Sequence, residues 1–133
     1  MTRLLLGNVV SDAYFEVPAE LADGLQRRGD HLGYRMLWLA RPEDVVVLGA
    51  CPSEPFLSAA HAVLGFQPEV VVVPRRRGET LPEAAARDPT TLARLRTLRA
   101  AVVLPYAASV DVCRLAELIG CRVDGPLRRF VGA

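Results

Sequence analysis

The sequence predicts a three-layer α/β fold: an open, mainly parallel sheet of four to five strands between two helical layers. Three observations predict it. First, four short apolar runs are continuous and do not alternate: 3–9 (RLLLGNV), 44–49 (DVVVLG), 69–74 (EVVVVP) and 101–105 (AVVLP). Continuous apolar strands are buried on both faces, as in a parallel sheet covered by helices on each side. Second, stretches with helical periodicity and helix start signals separate these runs. Third, the chain has 133 residues, 51% hydrophobic and 23% charged, enough for one domain with its own core. The resulting order is β-α-α-β-α-β-α-α-β-α, with a short fifth strand possible over 121–123 (CRV). Alternation of this kind is Rossmann-like.

Each element has a local reason. After the first run, 18–39 reads as one helix ending near Gly29 and a second, apolar helix over 34–40. Ser53 caps the next helix, which enters through Pro55 and stops at Gly65. Leu57, Ala60, Val63 and Leu64 form its inward face. Thr80-Leu-Pro-Glu83 has the capping-box pattern. Asp88-Pro89 opens a further helix carrying Leu92, Leu95 and Leu98, with Arg94, Arg96 and Arg99 toward water. Ser109 caps the last helix, with Val112, Leu115, Ala116 and Ile119 inward and Gly120 closing it. No repeat, low-complexity tract or linker interrupts 1–133, which reads as a single domain with 127–133 as a tail.

Composition narrows the chemistry. All 16 basic residues are arginine and none is lysine, a usage that GC-rich coding produces. A Schiff-base lysine is therefore excluded, as is a P-loop, whose signature ends in Gly-Lys-Ser/Thr. The net charge of +1 offers no broad field for nucleic acid or an anionic membrane. Three cysteines and no signal or spanning segment lead us to expect a reducing, cytoplasmic setting. The cysteines and histidines lack metal-ligand spacing, so no metal site is expected.

In open parallel sheets, ligands bind beyond the carboxyl ends of the strands. That rule selects four loops: 7–12, 50–54, 75–78 and 106–109. The first lacks the glycine pattern that lets a pyrophosphate approach the backbone, which argues against bound NAD or FAD. Asn8 and Asp12 can hydrogen-bond a polar ligand or simply satisfy the turn. In the second loop, Ser53 is a polar candidate. Cys51, before a capped helix, is placed where a helix dipole activates a thiol, but no histidine lies close in sequence, so a structural cysteine is the preferred reading. Arg75, Arg76 and Arg77 can clamp a carboxylate or phosphate, or form a solvated charge run. The fourth loop offers Tyr106. Trp38 reads as core or interface.

The order of features is also familiar. Gly7-Asn8 ends the first strand, Tyr34-Arg-Met-Leu-Trp38 forms an apolar helix, and Asp44 opens the second strand. Pro68 precedes the third, Pro105-Tyr106 ends the fourth, and Leu115-Ala-Glu-Leu-Ile-Gly120 leads into Val123-Asp-Gly-Pro126. This resembles the pre-ATP-grasp domain of actinobacterial peptide ligases, the ATP-grasp carboxylate–amine ligases of peptide natural-product pathways, over about residues 3–126. The resemblance implies a Rossmann-like domain that packs on an ATP-grasp module and helps wall its substrate site. That module binds ATP and magnesium, makes an acyl phosphate and lets an amine attack it. The ATP-binding lysines and metal carboxylates lie after the pre-ATP-grasp domain, whereas this chain stops at Phe130-Val-Gly-Ala133.

The expectation is therefore a non-catalytic domain, with no cofactor on its own residues and an ATP-grasp module in trans or self-association as its partner. Whether it is a stand-alone protein, a split-enzyme half or a truncation is left open. The alternatives are a small independent enzyme using Cys51 as nucleophile or Asp12 as acid/base, and a nucleotide-binding module. A missing partner further predicts an exposed apolar patch near the strand carboxyl ends and the 127–131 tail.

Overall fold

A computed structural model describes residues 1–8, 19–107 and 109–124, and of residues 19, 20 and 22 the backbone alone. Asp12, Val9 and the 127–133 tail lie outside the described residues. The elements are β1 (Arg3–Leu6), α1 (Ala19–Gly33), a 3-10 helix (Tyr34–Leu39), β2 (Val45–Leu48), α2 (Glu54–Leu64), β3 (Glu69–Val72), α3 (Leu81–Arg87), α4 (Pro89–Thr97), β4 (Val102–Pro105), α5 (Val110–Ile119) and β5 (Arg122–Val123). The strands form one sheet in the order β3-β2-β1-β4-β5. Every neighbouring pair is parallel, with Leu5 opposite Val46 and Leu104, and Val47 opposite Val71. This is the three-layer, Rossmann-like α/β fold that the apolar runs predict.

The valine and leucine runs make a sheet because both of its faces are covered. On one face, Leu4, Leu6, Val45, Val47, Val71 and Val103 pack against Leu81, Ala84 and Ala85 of α3, Leu95 of α4, and Val112, Leu115 and Ala116 of α5. On the other, Leu5, Val46 and Leu48 pack against Met36 and Leu37 of the 3-10 helix, with Phe56 and Leu57 of α2 alongside. Each such fully buried side chain contributes roughly 1.5–3 kcal/mol relative to leaving it exposed. The interior strand β2 is buried at every position, whereas β3, at the sheet edge, leaves Val72 41% exposed. Burial on both faces is thus complete in β2, holds for Leu4–Leu6 of β1 and for Val102 and Val103 of β4, and fails at the edge.

The helix signals work through the expected atoms at three of four starts. The Ser53, Thr80 and Asp88 side chains accept from the N–H groups of Phe56, Glu83 and Thr91. Gly65 and Gly120 end α2 and α5 with φ of 81° and 75°, a left-handed backbone that glycine adopts without a Cβ penalty. Ser109 departs from the expectation: it precedes α5 with the same extended backbone as the other three caps but makes no side-chain cap bond. Val63 also departs, being 72% exposed on α2 and not part of its inward face.

The first helical region differs in two ways. Gly29 lies buried inside α1, which continues to Gly33, and 34–39 winds as a 3-10 helix. The reason is a close approach. A Cβ on Gly33 would sit 2.6 Å from the Gly7 carbonyl oxygen, and one on Gly7 would sit 2.7 Å from Leu48 Cδ2. Two glycines distant in sequence let the end of α1 rest directly on the end of β1. The carboxyl end of α1 is thereby brought to the carboxyl edge of the sheet.

At the opposite edge, Arg3 and Asp44 form a nearly buried pair, with Arg3 Nε donating to Asp44 Oδ1 at 3.0 Å and the Arg41 N–H donating to Oδ2 at 2.8 Å. This pair joins the starts of β1 and β2 and has no part in the carboxyl edge.

Candidate functional site

The carboxyl edge contains two separate polar arrangements. The first lies at the switch point between β1 and β4, where chain direction through the sheet reverses and α/β folds commonly hold ligands. Asn8, 4% exposed, spans it. Its Nδ2 donates to the Ala107 carbonyl at 2.7 Å, and its Oδ1 accepts from the N–H groups of Tyr106 at 2.9 Å and Ala107 at 3.2 Å. The asparagine side chain thus ties the ends of β1 and β4 together. Tyr106 lies beside it and is 42% exposed. Asn8 and Tyr106, two residues chosen from the sequence, are therefore neighbours.

The second arrangement lies over the ends of β2 and β3. Arg75, directly beyond β3, makes an ion pair with Asp30 of α1, and the two side chains are only 5% and 13% exposed. They fit because residue 49 is glycine: a Cβ there would come within 2.5 Å of Asp30 Oδ1 and 2.8 Å of Arg75 Nε. Burial pushes the Asp30 carboxyl above its ordinary range; Arg75 and then His31 act in the opposite direction without cancelling it. Arg75 Nε is buried and has no hydrogen-bond partner among the described residues. An unmade bond of that kind costs about 1–3 kcal/mol.

The other arginines of the triplet diverge. Arg77 Nε meets Asp23 Oδ1 of α1 at 3.1 Å, with both groups more than half exposed. Arg76 points to solvent, and its backbone N–H donates to Glu79 Oε1 at 2.7 Å. The triplet is therefore not a single clamp; two arginines turn back onto α1 and one does not. Between them lies an open groove of about 510 Å3 lined by Asp23, Gln26, Arg27, Asp30 and Arg77. Four of these residues sit on one face of α1 at spacings of three and four. The sequence carried that signal, but it was not among the candidates.

Ser53, the remaining candidate within the described residues, is exposed and occupied as the α2 cap, accepting from Phe56 N at 3.3 Å. Cys51 is a free, exposed thiol lying 3.5 Å from the Pro52 carbonyl. Its own carbonyl accepts from the Tyr34 hydroxyl at 3.2 Å. Tyr34 in turn stacks on His31 and contacts Phe56, and Phe56 meets Trp38 edge-on. Trp38, 43% exposed, is thus half in the aromatic cluster and half at the surface. Near the carboxyl edge, Val72, Tyr106 and Val110 are exposed; other exposed apolar residues, such as Leu39 and Val63, lie elsewhere. No group of His, Cys, Asp and Glu among the described residues has the arrangement of a metal site. No helix among them is long and apolar enough to cross a membrane.

An all-parallel sheet in this strand order, with polar loops gathered at its carboxyl edge, defines a Rossmann-like α/β domain. The family model described as the Pre ATP-grasp domain matches residues 33–121, about two thirds of the chain. The chain belongs to the Pre ATP-grasp domain family, as the order of its elements suggests. The match includes Ser53, Arg75, Arg76, Arg77 and Tyr106, and starts after Asn8, Asp12 and Asp30. No curated protein matches the chain.

Proposed function

We propose that this chain is an accessory domain of an ATP-grasp ligase and works in amide or peptide-bond formation in the cytoplasm. It packs beside an ATP-grasp module and helps wall that module's substrate site. The single observation that carries the reading is the Pre ATP-grasp match across 33–121, on a Rossmann-like fold whose polar groups gather at one edge. The 133 residues contain no lysine, so lysines that contact ATP phosphates must come from outside them. In this reading ATP and magnesium belong to the ATP-grasp module, and the exposed Tyr106 and Val110 face it.

The experiment is co-purification of the 133-residue chain with the ATP-grasp proteins encoded beside it, followed by gel filtration and assay of ADP release with candidate acids and amines. A stable mixed complex that releases ADP with an amine acceptor is expected. Failure of every such protein to bind, with the chain forming only copies of itself, would overturn the proposal in favour of a self-associating module.

A further inference from the structure

The groove beside α1 has a charge arrangement that the helix alone does not explain. Arg27 has a carboxylate four residues before it, Asp23, and another three residues after it, Asp30. Both spacings ordinarily give helix ion pairs. Here both carboxylates are taken from the other side: Asp30 by Arg75 and Asp23 by Arg77. Arg27 consequently lines the groove without an ion pair among the described residues. Arg27 thus gives the groove wall a guanidinium that no carboxylate among the described residues engages.

The floor has the opposite character. Asp30 is nearly buried, with Oδ1 held by Arg75. Among the described residues its one hydrogen bond is the one Oδ1 accepts from Arg75, and the carboxylate lines the groove. A carboxylate oxygen with no protein donor, on a side chain only 13% exposed, is a strong acceptor for a cationic donor. Arg75 Nε, buried beside it, makes no hydrogen bond among the described residues. Gly49 provides the space for both groups.

We propose that the groove between α1 and the loop after β3 binds the zwitterionic head of an α-amino acid. The ammonium group sits on Asp30, and the carboxylate sits on Arg27 with the Gln26 amide beside it. Arg27 and Asp30 are three residues apart on one helix face, about 5–6 Å between their Cβ atoms, a span that an amino acid's adjacent charges can bridge. The groove volume of about 510 Å3 falls within the range of about 300–1,000 Å3 usual for small-molecule sites and leaves room for a side chain. The site stands on its own geometry; its place as an amine-donor or acid-donor site in a ligase rests on the function proposed above.

The test uses the full 133-residue chain, labelled with nitrogen-15. L-alanine, L-phenylalanine and L-glutamate are titrated, with acetate, methylammonium and inorganic phosphate as single-charge controls. At least one amino acid should shift the Gln26, Arg27 and Asp30 amides saturably, and acetate should bind at least about tenfold more weakly. Arg27→Ala, a surface change that leaves the fold intact, should weaken the amino acid about tenfold or more, the loss expected for a charge-assisted hydrogen bond. Gln26→Ala should weaken it less.

Three results would overturn the proposal. One is no saturable shift with any of the three amino acids up to about 50 mM, which excludes even weak binding. Another is acetate or phosphate binding as tightly as the amino acids, which would make the groove an anion site only. The third is an Arg27→Ala titration identical to that of the unaltered chain. Amino-acid binding without any ATP-grasp partner would sink the ligase reading and leave the site; a partner without amino-acid binding would sink the site alone.

Discussion

Replacing Asn8 with alanine separates two roles that its position allows. If the side chain mainly waits for a ligand, its removal leaves folding stability nearly unchanged. If it ties β1 to β4, removal is expensive, and the structure sets the size. Of the three bonds lost, the Tyr106 N–H keeps a second acceptor, the Leu6 carbonyl at 2.9 Å, so that donor is not stranded. The Ala107 N–H and carbonyl lose the partner that held them. Two backbone groups, each costing about 1–1.5 kcal/mol when left short of a bond, give about 2–3 kcal/mol. With a urea m-value of about 1.5 kcal/mol/M, the unfolding midpoint should fall by roughly 1.3–2 M. Asn8→Asp sharpens the case. It keeps the acceptor but points a carboxylate oxygen at the Ala107 carbonyl, so its folded pKa must rise above the unfolded value of about 3.9. The resulting deficit is complete above the folded pKa and disappears as pH falls below about 4. A midpoint shift under about 0.3 M for Asn8→Ala would refute the structural role and return Asn8 to the list of ligand contacts.

Three further predictions concern the surroundings. Gly49→Ala should cost about 1–3 kcal/mol by urea titration, because its Cβ meets the Asp30–Arg75 pair; the cost should shrink in an Arg75→Ala background, where the neighbour is gone. At Asp44, burial pushes the carboxyl up, but the hydrogen bond from Arg3 and that from the Arg41 N–H outweigh it and hold the group below its usual range. A depressed folded pKa adds stability above about pH 4 that is lost as pH falls through the folded value, so Asp44→Asn should flatten the acid limb of the stability curve and cost about 1–3 kcal/mol at pH 7. Arg99 adopts a left-handed φ of 49°, so Arg99→Gly should raise the thermal midpoint with a gain of about 0.5–1 kcal/mol, the strain an L side chain carries there.

Local sequence signals were most informative where the deciding interaction is also local. The Thr80 and Asp88 caps act within four residues, and a continuous valine run has few uses other than a covered strand. Where the deciding contact is distant, the sequence was silent. Nothing near Gly29 and Gly33 indicates which one ends a helix; the choice depends on Gly7, where two backbones touch. Ser109 has the residue type and the extended backbone of a cap, as Ser53, Thr80 and Asp88 do, but its Oγ finds no partner among the described residues. The arginine triplet was legible as a candidate and not as a geometry. Its orientation is set by Asp23 and Asp30, more than forty residues earlier, and by the missing side chain at Gly49. The polar stripe of Asp23, Gln26, Arg27 and Asp30 was readable as a helix face; only the fold shows that it faces the end of β3.

This geometry also explains why the open groove is displaced from the usual position. In a doubly wound sheet the crevice at the switch point is available because neighbouring loops part in opposite directions. Here the β1 and β4 ends are held together by three hydrogen bonds to one buried side chain, so the space between them is occupied by the protein's own amide. The strand ends next to it are different. β2 ends in Gly49, which offers no side chain, and β3 ends before arginines that reach over the sheet to α1. Two ion pairs brace that side as wall and floor, and the volume between them stays open. Closing one crevice with Asn8 and propping the next with Arg75 and Arg77 moves the accessible polar surface by one to two strands, onto the edge where α1 supplies most of the lining. A ligand contacting this domain would therefore be read chiefly by a helix face, with the β3 loop holding that face in place.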